Sequence, residues 1–246
     1  MFANWGEAGM ASELPGEVIW MRRERAAVGR PAQRSRGEIT AAAIALADRE
    51  GLDAVSMRRL AAELGTGAAS IYRYLDHRED LLDLMMDATA AEYSLAAPTG
   101  DWLADLLDVA QQARAIMRRH AWLATLVVSR PVLGPRGLTL LEHVLDVLTP
   151  HPAADAAKLE AFGMLSAVAA AFVQNELGGG SAAQQRNAAY LYHAVTSGER
   201  PRLARLLEQP APPAPDPADR FADIVIRILA GLLGPPPAGQ RDGQPD

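Results

Sequence analysis

Apolar residues recur at helical spacing along almost the whole chain, and no stretch shows the strict alternation or β-branched density of a strand. The first clear block is Ile39, Ala43, Leu46 and Ala47, and it stops at Glu50-Gly51-Leu52, where glycine takes a positive φ at little cost. Ser35 and Glu38 stand three residues apart at its start and predict a reciprocal cap. A second block, Ser56 to Leu64, is separated by Gly65-Thr66-Gly67 from a third, Ala68 to Tyr74. Two short helices around a glycine-bearing turn form the helix-turn-helix pattern, whose second helix enters a major groove. That second helix carries little apolar bulk beyond Ile71 and Tyr72, so most of its surface has no intramolecular task. Asp76 and Glu79 repeat the three-residue offset and predict the cap of a fourth helix reaching about Ser94. Its Leu81, Leu82, Leu84, Met85 and Met86 pack under the first three helices and reach the second domain.

Ala97-Pro98-Thr99-Gly100 breaks the pattern. Helical blocks then succeed one another at 101–119, 121–129, 135–148, 152–177, 182–196, about 202–208, and 217–233. Gly178-Gly179-Gly180 is a flexible stop, and Pro210 to Pro217 reads as a stiff, extended linker. Asp216, Pro217 and Asp219 combine a capping acid, proline at the first helical position and a second acid near the positive end of the dipole. The expectation is an all-α chain in four parts. Residues 1–34 form a flexible basic arm, in which Leu14, Val18, Ile19 and Trp20 have the spacing for a turn of helix; 35–86 form a three-helix helix-turn-helix domain, 87–234 a larger helical domain, and 235–246 a disordered tail.

Composition adjusts this picture in four ways. A chain of 246 residues suits two domains rather than one small helical module. It contains no Cys, which excludes disulfide and thiol chemistry and agrees with a reducing cytoplasm. No apolar stretch approaches the ~20 residues of a membrane span, and the first residues lack the layout of a signal peptide. The net charge of −6 is unevenly spread. Arg22 to Arg78 holds eleven Arg against seven Asp/Glu, a local +4, and the remainder carries −10. Phosphate binding needs local positive charge, which the whole-chain value does not report. Arg22, Arg23, Arg25, Arg30, Arg34 and Arg36 make a basic arm that either tracks a minor groove or is a solvated tail.

The run LDAVSMRRLAAELGTGAASIYRYLDHREDLLD resembles the N-terminal domain of the tetracycline-repressor (TetR) family of bacterial transcriptional regulators. Gly51, Arg58-Arg59-Leu60-Ala61, Leu64-Gly65, Ile71-Tyr72 and Leu81-Leu82 carry the likeness. A weaker resemblance runs on through Asp101-Trp102, Ser129-Arg130-Pro131 and Leu165-Ser166-Ala167-Val168, and it is to the C-terminal domain of the tetracycline repressor itself. The resemblance implies a ligand-responsive repressor of palindromic operator DNA, with effector binding and dimerisation in 87–234.

It also implies roles for particular residues. Ala68, Ala69, Ser70, Tyr72, Arg73 and Tyr74 take DNA-facing positions, with Arg58 entering from the preceding helix. Arg58 and Arg73 can reach guanine O6/N7 or clamp a phosphate. Tyr72 and Tyr74 can donate to phosphates, and Ala68 and Ala69 let the backbone approach and touch a thymine methyl. Arg78 is a candidate phosphate contact, and Arg59 pairs with Glu63 in the simpler reading. For the effector, an apolar cavity with a few polar groups is expected, built from Val109, Met117, Leu126, Met164 and Phe172 with Gln174 and Asn175; the resemblance implies that helices 101–119, 135–148 and 152–177, which also carry polar Gln112, Arg114 and His143, surround it. The family's drug and magnesium ligands fall near Ser94, Val109 and Leu126. Val and Leu do not bind a hard cation, so the expectation is an apolar effector with no metal and no cofactor. The resemblance implies that helices 152–177 and 217–233 form the homodimer, through Gly163, Ser166, Ala167, Ala170 and Ala171 on one and Phe221, Ile224, Val225, Ile228 and Leu232 on the other; packing within the chain explains the latter stripe equally well.

Two other readings stay open. One is a DNA-binding activator or a regulator without a ligand. The other is an all-α enzyme, against which stand five widely separated His, no His pair at metal spacing and no phosphate-binding loop.

Overall fold

Ser35 and Glu38 open the first helix as their spacing predicts. Ser35 Oγ accepts from the Glu38 N–H at 3.1 Å, and the Glu38 carboxylate accepts from the Ser35 N–H at 2.8 Å. In this computed structural model the described residues are 18–22, 34–130, 134–178, 182–197, 200–208 and 216–234. Four helices build the N-terminal unit: α1 (Arg36–Glu50), α2 (Met57–Glu63), α3 (Ala68–Ile71) and α4 (Arg78–Ala90), with a 3₁₀ turn at Leu52–Ala54. Gly51 at φ 85° and Gly65 at φ 62° end α1 and the α2 turn in backbone that a β-carbon would strain. Ile39, Leu46, Leu60, Ile71, Leu75 and Leu81 are fully buried between these helices, each contributing roughly 1.5–3 kcal/mol of transfer free energy.

The cap of α4 lies one residue later than expected. His77 is the N-cap residue, and the Asp80 carboxylate accepts from the N–H groups of Asp76 at 2.9 Å and His77 at 3.1 Å. Asp76 is taken by an ion pair with Arg22 instead. The helix ends at Ala90, short of Ser94.

The second region holds α5 (Trp102–Arg119), α6 (Ala121–Ser129), α7 (Pro135–Val147), α8 (Asp155–Leu177), α9 (Ala182–Thr196), α10 (Pro201–Glu208) and α11 (Pro217–Leu233). No strand occurs among the described residues. Asp101 caps α5 through the N–H groups of Leu103 and Ala104, and Asp216 caps α11 through that of Ala218. The 23-residue α8 is the central helix, packed on α5, α6 and α11. Contrary to the expectation from sequence, α8 is long and apolar enough to cross a membrane by length and composition. Its Ala161, Phe162, Leu165, Ala169, Ala170 and Val173 are instead buried against its neighbours. On α11 the buried stripe is Phe221, Val225, Leu229 and Leu233. Phe221 meets Phe172 edge-to-face at 5.1 Å, and the Arg114 guanidinium lies over both rings while pairing with Glu176. Helices α9 and α10 pack on each other and expose Tyr190, Tyr192, Leu206 and Leu207.

Candidate nucleic-acid interface and effector region

Ser56 caps α2 by accepting from the Arg59 N–H at 3.2 Å, which sets the register of the helix carrying Arg58 and Arg59. Met57, Leu60 and Ala61 face inward, so Arg58 and Arg59 face out. Arg59 lies 2.9 Å from Glu50 and 3.4 Å from Glu63, the pairing that its spacing suggested. Arg58 makes no such contact with any described residue, and neither does Arg73 after α3; both are exposed. Ile71 and Leu75 anchor α3 from below. Ala69 and Tyr72 are exposed, Tyr72 at 52%. Ala68, Ser70 and Tyr74 are half-buried, and Ala68 and Tyr74 pack on the core edge.

Other arginines of this region are turned inward. Arg78 Nε donates to the Val55 carbonyl at 3.0 Å and its Nη2 to that of Leu52 at 3.3 Å. Arg78 therefore ties the start of α4 to the 3₁₀ turn, which revises the expectation of a phosphate contact. Arg34 donates to the Leu64 carbonyl at 2.8 Å, at the end of α2. Arg36 donates to the carbonyls of Tyr74, Ile19 and Arg22. Residues 18–22 depart from the expected flexible arm: Ile19 is 1% exposed, and Arg22 pairs with Asp76 and Asp80. Burial alone would raise the Asp80 carboxyl. Arg22 and the His77 and Asp76 N–H groups outweigh that and hold it below the ordinary carboxylate range. Arg23, Arg25 and Arg30 lie outside the described residues.

Helix α4 joins the reading unit to the second region through two carboxylates. Arg130, just past α6, donates to Asp83 at 2.7 Å. Asp87, buried at 7% exposure, accepts from the N–H groups of Arg136 at 2.8 Å and Gly137 at 3.1 Å, and so caps α7 from another helix. A β-carbon at Gly134 would lie 2.4 Å from Asp87 Oδ1 and 2.7 Å from the Trp20 ring. Only glycine allows this approach. Sequence reasoning missed Asp83 and Asp87 because their partners lie about fifty residues away.

The residues expected around an effector are dispersed. Val109, Met117 and Leu126 are buried in one continuous core. Phe172 sits at the α5–α8–α11 seam. Met164, Gln174 and Asn175 are on the exposed side of α8, where the Asn175 amide donates to its own helix at the Ala171 carbonyl. None of these seven lines a wide, solvent-open cavity of about 750 Å³ on the outer side of α7. That cavity is formed by Leu95 after α4 and by Pro135, Leu138, Thr139, Glu142, His143, Leu145, Asp146 and Thr149. His143 was among the polar residues that the sequence placed in this domain. The others were missed because they read as an ordinary solvated helix face.

The family profile described as "Bacterial regulatory proteins, tetR family" matches residues 39–85, and "Tetracyclin repressor-like, C-terminal domain" matches residues 96–234. A protein of Streptomyces coeruleorubidus described as HTH-type transcriptional repressor DrrR1 is 33% identical over 228 residues, 88% of this chain and 83% of that one. Among solved structures, ActR of Streptomyces coelicolor in complex with actinorhodin is similar at 31% identity and a TM-score of 0.69, over 81% of this chain and 97% of that one. Apo ActR gives 29% identity and a TM-score of 0.67, over 82% and 98%.

Proposed function

This chain belongs to the TetR family of bacterial regulatory proteins, and from that premise we propose that it is a repressor released from operator DNA by a small organic effector. The observation that carries the DNA half is the contrast among arginines: Arg58 and Arg73 stand exposed, with no side-chain partner among the described residues, while their neighbours are tied down. In this reading α3 enters a major groove, Arg58 and Arg73 reach base edges, and Tyr72 donates to a phosphate, with Ala69 and Ser70 beside them. Met164, Ala167, Val168, Ile224, Ile228 and Leu232 remain partly exposed on α8 and α11. They support a four-helix interface with a second copy, which would set two α3 helices in successive grooves.

The cavity on α7 supports the effector half. An occupant would rest on Leu95 and Pro135, and so touch the chain on both sides of the Asp87 cap. Its apolar body would lie on Leu138 and Leu145, with hydrogen-bond donors toward Glu142 and Asp146 and no metal. Any differential affinity for one setting of α4 then changes DNA affinity, by roughly 5–150-fold for a coupling of ~1–3 kcal/mol. Footprinting and fluorescence anisotropy with duplex from upstream of the gene test the DNA half. Two symmetric half-sites about 34–36 Å apart are expected; one asymmetric half-site held by a monomer overturns the proposal. Calorimetry with and without operator, in chelator and in magnesium, tests the effector half. Strict magnesium dependence, or equal effector affinity with and without operator, defeats it.

A further inference from the structure

His120 forms the turn between α5 and α6, where the second region meets α1. Its Nδ1 lies 2.9 Å from Oδ1 and 3.0 Å from Oδ2 of Asp48 on α1, and its Nε2 lies 2.8 Å from Oε1 of Glu92, just past α4. The Trp122 indole N–H donates to the same Asp48 at 2.7 Å, and Arg119 Nε donates to Glu92 at 3.1 Å. The charged groups around the ring are thus Asp48 from α1, Glu92 from the chain after α4, and Arg119 from α5. The imidazole is largely enclosed, at 12% exposure.

A carboxylate only accepts hydrogen bonds, and a neutral imidazole has one N–H. A ring held between two carboxylates satisfies both only as the imidazolium. After losing a proton it turns a lone pair toward one of them, and that contact becomes repulsive. We propose that His120 is a positioning residue for the DNA-reading unit, a charge-gated latch that holds α1 and the end of α4 in register with α5 and α6. The latch is closed with the ring protonated and loosens as pH rises. Glu92 fits this arrangement: burial alone would raise its carboxyl, but Arg119 and His120 hold it below the ordinary range. Imidazole is the side chain that can carry either charge state under mild conditions, which is what a contact switched by one proton requires. The contact exists whatever the protein binds; its effect on DNA release rests on the repressor reading.

The two layers are tested separately on the full chain. Hydrogen exchange in the free protein, corrected for intrinsic rates, is measured from about pH 5.5 to about pH 8.5. Protection of the second half of α1 and of residues 90–93 should fall with rising pH, relative to α8, by roughly ten-fold, the worth of one charge-assisted hydrogen bond. His120→Gln should show the low protection at every pH, and Asp48→Asn, which retains the ring, should blunt the response. Wild-type protection that tracks α8 throughout, or a pH response retained in His120→Gln, overturns the latch. Binding of promoter duplex at the same pH values and constant salt should change with the exchange response and lose that change in His120→Gln. A latch that responds while the wild-type and variant pH profiles of DNA binding coincide overturns its role in positioning the reading unit. Absence of any promoter binding overturns the repressor reading and leaves the exchange result to decide the latch.

Discussion

The outer and inner sides of the helix-turn-helix unit use the same side chain for opposite ends. On the outer side Arg58 and Arg73 reach into solvent, while on the inner side Arg22, Arg34, Arg36 and Arg78 are held by carbonyls and carboxylates. Guanidinium presents five donors in a rigid fork, so an arginine near folded-backbone acceptors becomes a bolt between elements. An arginine with no acceptor in reach keeps its mobility and its charge. It adds little to folding and is available to an anionic partner. Positive charge in a DNA-binding region is therefore divided between holding the unit together and using it, and neither net charge nor local charge separates the two.

The comparison breaks most visibly at Asp80. Asp80→Ala should remove an almost buried partner of Arg22 and leave two N–H groups at the start of α4 uncapped, costing about 3 kcal/mol in chemical denaturation. DNA affinity per folded molecule should be kept; intact stability with lost binding would reverse the assignment of sides. Arg58→Ala and Arg73→Ala should each weaken operator binding by roughly 1–3 kcal/mol, with less effect on non-specific DNA and stability changed by about 0.5 kcal/mol or less. Arg78→Ala should cost about 1–2 kcal/mol of stability and leave the salt dependence of DNA binding unaltered. A salt slope reduced by about one unit would move Arg78 to the outer side. The smallest effect is the pH response. The Asp80 carboxyl is depressed in the folded chain, so its contribution is complete above the ordinary carboxylate range and is lost as pH falls below it. Acid denaturation curves of wild type and Asp80→Asn should converge there.

The helices were legible because their signals are local. The Ser35–Glu38 cap, the glycines at 51 and 65, and the Asp216-Pro217 start each involve residues within a turn of one another. Arg58, Tyr72 and Arg73 were legible as an outward set through the family resemblance, and Arg59 through its spacing to Glu63. What escaped was long-range. Arg78 looks the same in sequence whether it meets a phosphate or the Val55 carbonyl, and Asp87 gives no sign that it caps a helix beginning near residue 135. The effector residues are a related case: Val109, Met117 and Leu126 have the composition of a cavity wall, and in this structure they are buried within the core cluster. On α11 the apolar stripe was found, although its inner edge runs through Leu229 and Leu233 while Ile224, Ile228 and Leu232 lie toward the surface.

Helix α3 spans only four residues, Ala68–Ile71. Its brevity limits how much information one copy can extract from a genome. In the proposed reading, with Arg58 and Arg73 supplying ~1–3 kcal/mol of discrimination each, a lone unit would separate right from wrong sites by about 10²–10⁴-fold. A genome presents roughly 10⁶ or more competing positions, so a lone unit would be diluted among decoys. Two units in rigid register multiply their selectivities to about 10⁴–10⁸, enough to find one address. In such a design the spacing between reading heads is part of the message, and an effector needs only to spoil the spacing.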